Sequence, residues 1–149
     1  MYRKILVAVD GSATSLRGLD EAVQLAKTMS GRLLLVHVVD ELIVADPPAA
    51  AYELISQVLR ESGTKVLAEA AARVKRADVP CEHKLIETLG GRAADAIVRE
   101  AKEWAADVIV VGTHGRRGLK RLAMGSDAEM VLRRAPVPVL MVRDKPESP

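Results

Sequence analysis

Residues 112–126 read GTHGRRGLKRLAMGS and connect a predicted buried strand, Asp107 to Val111, to a predicted helix that opens at Ser126. Glycines let a backbone adopt positive φ and approach a ligand closely. The free N–H groups and the dipole at a helix N-terminus favour an anion. The segment has no acidic residue and four basic ones, namely Arg116, Arg117, Lys120 and Arg121. A solvated basic surface is the alternative, but together with the glycines the charges favour a phosphate-binding loop.

Strands and helices alternate on both sides of this loop. The predicted strands are Lys4 to Val9, Leu33 to Val39, Cys81 to Thr88, Asp107 to Val111 and Val137 to Arg143. Most are continuous apolar runs, which is typical of strands buried on both faces. The pattern predicts an α/β, Rossmann-like fold, in which an open parallel sheet of order 3-2-1-4-5 carries helices on both faces. The third strand alternates better than the others, which favours a place nearer an edge.

The helices are predicted from apolar residues at helical spacing. Gly31 stops the first helix, the third carries Trp104 on its core-facing stripe, and the fourth runs from Ser126 to about Arg134. The second helix runs from Ala51 to about Ala77, and Gly63 is a candidate interruption. Its predicted inward residues are Ile55, Val58, Leu59, Val66, Ala70 and Val74.

A second candidate loop follows the first strand. Asp10, Gly11 and Ser12 read as a turn and a helix cap. In open parallel sheets a ligand binds at the carboxyl ends of the strands, where the strand order reverses. With the order 3-2-1-4-5 the reversal lies between strands one and four, so this turn and the glycine loop share one crevice. Asp10 either contacts the ligand there or helps Ser12 to cap the helix.

Length, composition and charge limit the class of protein and the partners that this chain can have. With 149 residues, 49% of them hydrophobic, we expect one globular domain at 1–143 and a loose polar tail at 144–149. A formal charge of +2, no Phe and few aromatic residues argue against a nucleic-acid partner. One cysteine allows no intrachain disulfide. No signal peptide or membrane-length apolar run is present, so we expect a cytoplasmic protein with no membrane partner.

The glycine loop lacks the usual nucleotide-binding signatures, since neither a P-loop nor a Gly-x-Gly-x-x-Gly turn occurs. The spacing that is present is Gly112-x2-Gly115-x9-Gly125-Ser126. With VAVDGS at residues 7–12 and RAPVPVLMV at residues 134–142, it resembles the ATP-binding branch of the universal stress protein family. The resemblance extends from Tyr2 to Arg143.

The resemblance implies a set of binding residues. Asp10 would lie near the ribose or base, and Val38 would offer backbone hydrogen bonds to adenine. Gly112 and Gly115 would lie against the ribose and phosphates. Gly125 and Ser126 would bind the outer phosphates of ATP, which Mg²⁺ or Mn²⁺ bridges without confident protein ligands. His114 either donates to a phosphate or orders the turn.

Three other polar residues have plainer interpretations. Asp127 departs from the family pattern, which more often has a small or aliphatic residue after the serine, and a carboxylate there would repel phosphate unless a metal intervenes. Ser126 to Glu129 has the spacing of a capping box, which explains the acid locally. His37 reads as a satisfied sheet residue and His83 as a surface residue, and no spacing indicates a zinc site.

The sequence favours a nucleotide-dependent switch or interaction module with an unidentified protein partner, because no convincing catalytic group is evident, and the resemblance implies a role in the stress response. Two alternatives remain: a slow nucleotide hydrolase or nucleotidyl transferase, and a dimeric interaction protein with weak ATP binding or with AMP or cyclic AMP as ligand. The apolar strand Val137 to Val142 lies at the predicted sheet edge and favours a homodimer. Edge protection by twist, Pro136, Pro138 and the charged tail is the other interpretation.

Overall fold

The computed structural model describes residues 1–40, 48–113 and 125–143 of the chain. Five strands alternate with four helices in this part of the sequence. Their bounds are β1 Lys4–Ala8, α1 Ala13–Met29, β2 Arg32–Asp40, α2 Ala49–Arg76, β3 Cys81–Thr88, α3 Ala93–Glu103, β4 Val108–Gly112, α4 Ser126–Arg134 and β5 Val139–Val142. The predicted bounds of β3 are confirmed, and the other predicted strand ends lie within two residues of the observed ones, as is common at element termini.

All five strands form one parallel sheet in the order β3-β2-β1-β4-β5, which confirms the predicted fold class. Alternate residues of a strand face opposite sides of a sheet. Ile5 and Val7 therefore pack into a core beneath α1 and α2, whereas Leu6 packs into a second core beneath α3 and α4. Burial on both faces explains the apolar runs, and β3, which alternates, is an edge strand.

The second helix is continuous, so the suggested interruption at Gly63 is wrong. Gly63 is buried where α2 crosses the sheet. A Cβ atom at this position would lie 2.7 Å from Leu85 Cδ1 and 2.8 Å from His37 Cδ2. Glycine is therefore explained by close packing of the helix on β2 and β3.

Val58 was predicted to face inward, and this is wrong, because its side chain is 55% exposed. Successive helical residues rotate by about 100°, so Val58 lies about 140° around the helix from Gly63. Ser56 falls close to the inward direction and is 4% exposed. The close packing of Gly63 on the sheet therefore decides which side of α2 faces inward, and this leaves Val58 on the exposed side despite its hydrophobic side chain.

The predicted stop at Gly31 is also displaced by one residue. The helix α1 ends at Met29, and Ser30 adopts the left-handed conformation of a C-cap with φ 52°. Gly31 follows this cap, and its N–H donates to the Ala26 carbonyl in the last turn of α1 at 2.8 Å, while the residue itself packs against Arg3 just before β1. The predicted tail at 144–149 lies outside the described residues. Of the described helices, none is long and apolar enough to cross a membrane.

Candidate functional site

The candidate site lies at the carboxyl ends of β1, β2 and β4. The chain leaves β1 toward β2 on one side, and it leaves β4 toward β5 on the other. The two connections diverge, so a crevice opens between the ends of β1 and β4. The loops after Ala8 and after Gly112 both begin at this crevice, as the sequence predicted.

The turn after β1 is held by its own polar groups. Gly11 has φ 83°, a left-handed conformation that suits glycine. The Asp10 Oδ1 atom accepts from the Ser12 N–H at 2.8 Å, and Ser12 Oγ accepts from the Ser15 N–H at 3.2 Å. Ser12 is therefore the N-cap of α1, and Asp10 has the structural role that the sequence offered as an alternative. Contact between Asp10 and a ligand stays a prediction.

The first turn of α1 contains no acidic residue. The positive end of its dipole is consequently not offset by an acidic side chain of that turn. An acceptor in the crevice would meet this end of the helix beside Gly11 and Ser12.

The start of α4 is attached to the end of β4. The Gly125 N–H donates to the Thr113 carbonyl at 2.7 Å, and the Thr113 N–H donates to the Val142 carbonyl at 3.0 Å. These two bonds place Ser126, the first residue of α4, beside the crevice. Both predicted phosphate-binding residues after the loop therefore lie at a helix N-terminus.

The capping box predicted for Ser126 to Glu129 is wrong. The N-cap is Gly125, one residue earlier than the box requires, and no side chain caps this helix. Glu129 instead accepts from Arg133 Nη2 at 2.9 Å, one turn further along. Asp127 and Glu129 do lie in the first turn, where acids suit the helix dipole.

Gly112 brings α1 close to β4. A Cβ atom at Gly112 would lie 3.0 Å from the Thr14 backbone carbon, Cβ and Oγ1. Thr14 is 3% exposed, so it has little room to yield. The glycine is thus needed for packing as well as for the predicted contact with ligand. Sequence reasoning missed Thr14, whose only signal was its place two residues after the cap.

The end of β2 extends past its neighbour. The last register pair of β1 and β2 joins Ala8 to Val36, whereas β2 continues beside β3 to Asp40. The Val9 N–H donates to the Val36 carbonyl at 2.9 Å. Backbone groups two residues apart in a strand face the same side. The N–H and C=O of Val38 therefore point toward the space beyond β1, and their contact with adenine stays a prediction.

His37 lies between these residues and is satisfied, as predicted. Its Nδ1 is 2.7 Å from the Val9 carbonyl oxygen. His83, also as predicted, is exposed on β3. His114, Gly115 and the basic residues between 116 and 121 lie outside the described residues.

The aromatic residue Trp104 lies at the opposite end of the sheet. Lys4 Nζ, at the start of β1, is 4.7 Å from the centre of its ring, and Arg32 Cζ, at the start of β2, is 5.6 Å away. Trp104 therefore offers no stacking surface to a base bound at the carboxyl ends.

Cys81 also lies at the amino end of its strand. Burial, followed by the charge of Glu82, raises the pKa of its thiol to about 11, so the thiolate is scarce at neutral pH. Within the described residues, no three His, Cys, Asp or Glu side chains are grouped closely enough to hold a metal ion.

Comparisons with known proteins agree with this architecture. The model of the Universal stress protein family matches residues 1–143. A universal stress protein of Methanocaldococcus jannaschii is 36% identical over 144 residues, which cover 96% of this chain and 83% of that protein. A solved universal stress protein family structure from Burkholderia pseudomallei is 38% identical, with a TM-score of 0.77, and the match covers 94% of this chain and 95% of that one.

Two further solved structures hold adenine nucleotides. One is a universal stress protein in complex with cAMP, which is 31% identical with a TM-score of 0.69 and covers 95% of this chain and 98% of that one. The other is the universal stress protein of Archaeoglobus fulgidus in complex with dAMP, at 25% identity and a TM-score of 0.67, covering 95% and 98% respectively. The match of the family model over residues 1–143 and the identity to the curated relative together show that this chain belongs to the universal stress protein family.

Proposed function

We propose that residues 1–143 form one domain that binds an adenine nucleotide between the ends of β1 and β4 and acts as a stress-response switch or interaction module. The observation that carries the proposal is that two helix N-termini, at Ser12 and Ser126, follow the carboxyl ends of the adjacent strands β1 and β4, next to the part of β2 that β1 does not pair. Helix N-termini supply N–H donors and a favourable field for phosphate. The backbone of Val38 supplies a donor and an acceptor for a base.

The proposed roles follow from these positions. Val38 would bind the adenine edge and Asp10 the ribose or base. Gly11 and Ser12 would face the inner part of the nucleotide, and Gly125 and Ser126 the outer phosphates. His114 and Gly115 would complete the phosphate loop. For ATP, a Mg²⁺ or Mn²⁺ ion held mainly by the phosphates would offset their charge and that of Asp127.

We propose binding rather than rapid turnover. Efficient phosphoryl transfer needs a group that positions the attacking water and usually a fixed metal. The polar side chains at the described ends of β1 and β4 include the hydroxyls of Ser12, Thr14 and Thr113 and the carboxylate of Asp10, which already accepts from the Ser12 N–H. Slow hydrolysis remains the alternative, and a rate that scales with protein and is lost in Ser126→Ala would favour it.

The ligand itself can be identified directly. Purified protein would be denatured, and the released small molecules would be analysed by mass spectrometry. We expect ATP. Recovery of AMP or cyclic AMP instead would support the alternative suggested by the cAMP and dAMP complexes of related proteins. Absence of any adenine nucleotide, together with no calorimetric binding of added ATP, AMP or cyclic AMP, would contradict the proposal.

We expect ATP to bind more tightly than GTP. Guanine reverses the donor and acceptor at the edge of the base that Val38 would contact, so GTP would leave buried polar groups unpaired. The expected difference is about tenfold or more, or about 1.4 kcal/mol. Calorimetric titrations with the two nucleotides under the same magnesium concentration would measure it. Equal affinities would show that the base is not held in this way.

We also propose a homodimer through the edge strand β5. The strand ends the sheet, and Leu140 on it is 40% exposed. A second copy of the strand, related by a twofold axis, would pair the edge and cover the apolar side chains.

Leu140→Asp is expected to shift the protein toward monomer, because a charge at a self-complementary interface is buried twice. Light scattering over a range of concentrations would measure the change. Leu54→Asp is a matched control, since Leu54 is a 63% exposed leucine on α2, which packs on β2 and β3 at the other side of the sheet. Monomeric unmodified protein at high concentration would refute the dimer.

A further inference from the structure

We propose that His37 is a positioning residue that keeps the backbone N–H of Val38 available for the nucleobase. The inference rests on the proposed nucleotide-binding function and concerns how this chain prepares the site. The imidazole is not itself placed against the ligand. It acts through the Val9 carbonyl, from which its Nδ1 is 2.7 Å away.

The argument begins with the hydrogen-bond pattern of parallel strands. The Val9 N–H donates to the Val36 carbonyl, and the next bond in a regular parallel ladder would run from the Val38 N–H to the Val9 carbonyl. His37 Nδ1, rather than the Val38 N–H, is the donor that lies within hydrogen-bond distance of that carbonyl, at 2.7 Å. Pairing of β1 with β2 stops at Ala8 and Val36, while β2 and β3 continue for four more pairs. The side chain thus ends the ladder one step early and leaves the Val38 N–H facing the crevice.

The ring is held in this position by the second helix. Gly63 packs directly on it, because a Cβ atom at Gly63 would lie 2.8 Å from His37 Cδ2 and 3.2 Å from Nε2. Glycine at this helical position therefore leaves just enough room for the imidazole. Close packing of this kind limits the ring to few orientations.

The chemistry of the contact fixes the tautomer. A carbonyl oxygen only accepts hydrogen bonds, so Nδ1 carries the hydrogen when it binds Val9. Asparagine places its amide nitrogen near the position of Nδ1 and can keep the bond. Leucine fills a similar volume but cannot donate, and the amide of glutamine extends past Nδ1. The side-chain requirement is therefore a donor at the Nδ1 position.

The proposal predicts a spectroscopic result in the unmodified protein. The Val38 amide hydrogen should exchange quickly with solvent in the nucleotide-free protein and should be protected when AMP or ATP is added. In His37→Leu the Val9 carbonyl is released, so the Val38 amide should be protected even without nucleotide. Hydrogen exchange followed by ¹H–¹⁵N spectra would measure both, with the amide of Val36 as an internal reference inside the ladder.

The affinity for ATP should depend in the same way on a hydrogen-bond donor at the Nδ1 position. His37→Leu and His37→Gln are expected to weaken ATP binding about tenfold, and His37→Asn should restore it to within about threefold of the unmodified protein. His83→Leu is the control, since His83 is exposed on the neighbouring strand. If the unmodified protein binds no adenine nucleotide, the proposed function fails. If it binds, the role of His37 is refuted when all His37 variants that stay folded bind equally well, or when the Val38 amide of the unmodified protein is already protected without nucleotide.

Discussion

Replacement of Gly112 by valine is expected to weaken adenine-nucleotide binding at least tenfold, or about 1.4 kcal/mol. The new side chain would meet Thr14, whose backbone carbon, Cβ and Oγ1 lie 3.0 Å from the added Cβ. Thr14 belongs to the first turn of α1, so relief of the clash moves the N-terminus that carries Ser12. Overpacking of this kind also costs about 1–3 kcal/mol of folding free energy.

The two effects can be separated by the smaller substitution Gly112→Ala. Alanine adds only the Cβ atom, so α1 needs to shift by less, and we expect an intermediate loss of both stability and affinity. Calorimetric titration with ATP would measure the affinity, and urea unfolding would measure the stability. Unchanged affinity and stability in a folded Gly112→Val protein would show that the close approach of α1 to β4 does not shape the site.

Replacement of Gly31 by alanine is expected to lower the free energy of unfolding by about 1–3 kcal/mol without changing nucleotide affinity. The added Cβ would lie 2.8 Å from the Arg3 carbonyl oxygen and 3.1 Å from Arg3 Cα. These are backbone atoms, and the Arg32 N–H fixes that carbonyl by a hydrogen bond of 2.8 Å. No flexible side chain can yield, so the start of β1 must move relative to β2.

Gly91→Ala is the matched control for this experiment. A Cβ atom at Gly91 would lie 3.7 Å from Thr88 Cβ, an ordinary van der Waals distance. Its effect on stability should be within about 0.5 kcal/mol. Urea unfolding of both variants would measure the difference, and equal midpoints would contradict the packing argument at Gly31. Because Gly31 lies at the amino end of the sheet, away from the proposed site, the ATP affinity of Gly31→Ala should stay unchanged even though its free energy of unfolding falls.

Much of the fold could be predicted because it follows from short sequence patterns, namely the apolar runs of the strands and the alternation of strands with helices. Continuous apolar strands such as Val108–Gly112 can be buried only between two layers of helices, and strand–helix alternation then allows few connections. The position of the crevice followed from strand order. The turn at Asp10 to Ser12 was also predictable, since its hydrogen bonds join residues that are neighbours in sequence.

The remaining features depend on contacts between residues that are distant in sequence. Hydrophobicity placed Val58 inward, but the phase of α2 is set by Gly63, which packs on His37 and Leu85. The spacing from Ser126 to Glu129 fits a capping box, but the bond from Gly125 to Thr113 starts the helix one residue earlier than the box requires. The bond between His37 and the Val9 carbonyl likewise joins two strands. The local sequence pattern does not reveal any of these three contacts.

The central claim, that an adenine nucleotide binds between the ends of β1 and β4, is tested most directly by titrating isotope-labelled protein with magnesium ATP and following its ¹H–¹⁵N spectrum. We predict saturable shifts at the amides of residues 10–12, at Val38 and at residues 112–126. Amides near Trp104, at the opposite end of the sheet, should not change. Shifts confined to the amino ends of the strands, or no saturable shift with any adenine nucleotide, would contradict the claim.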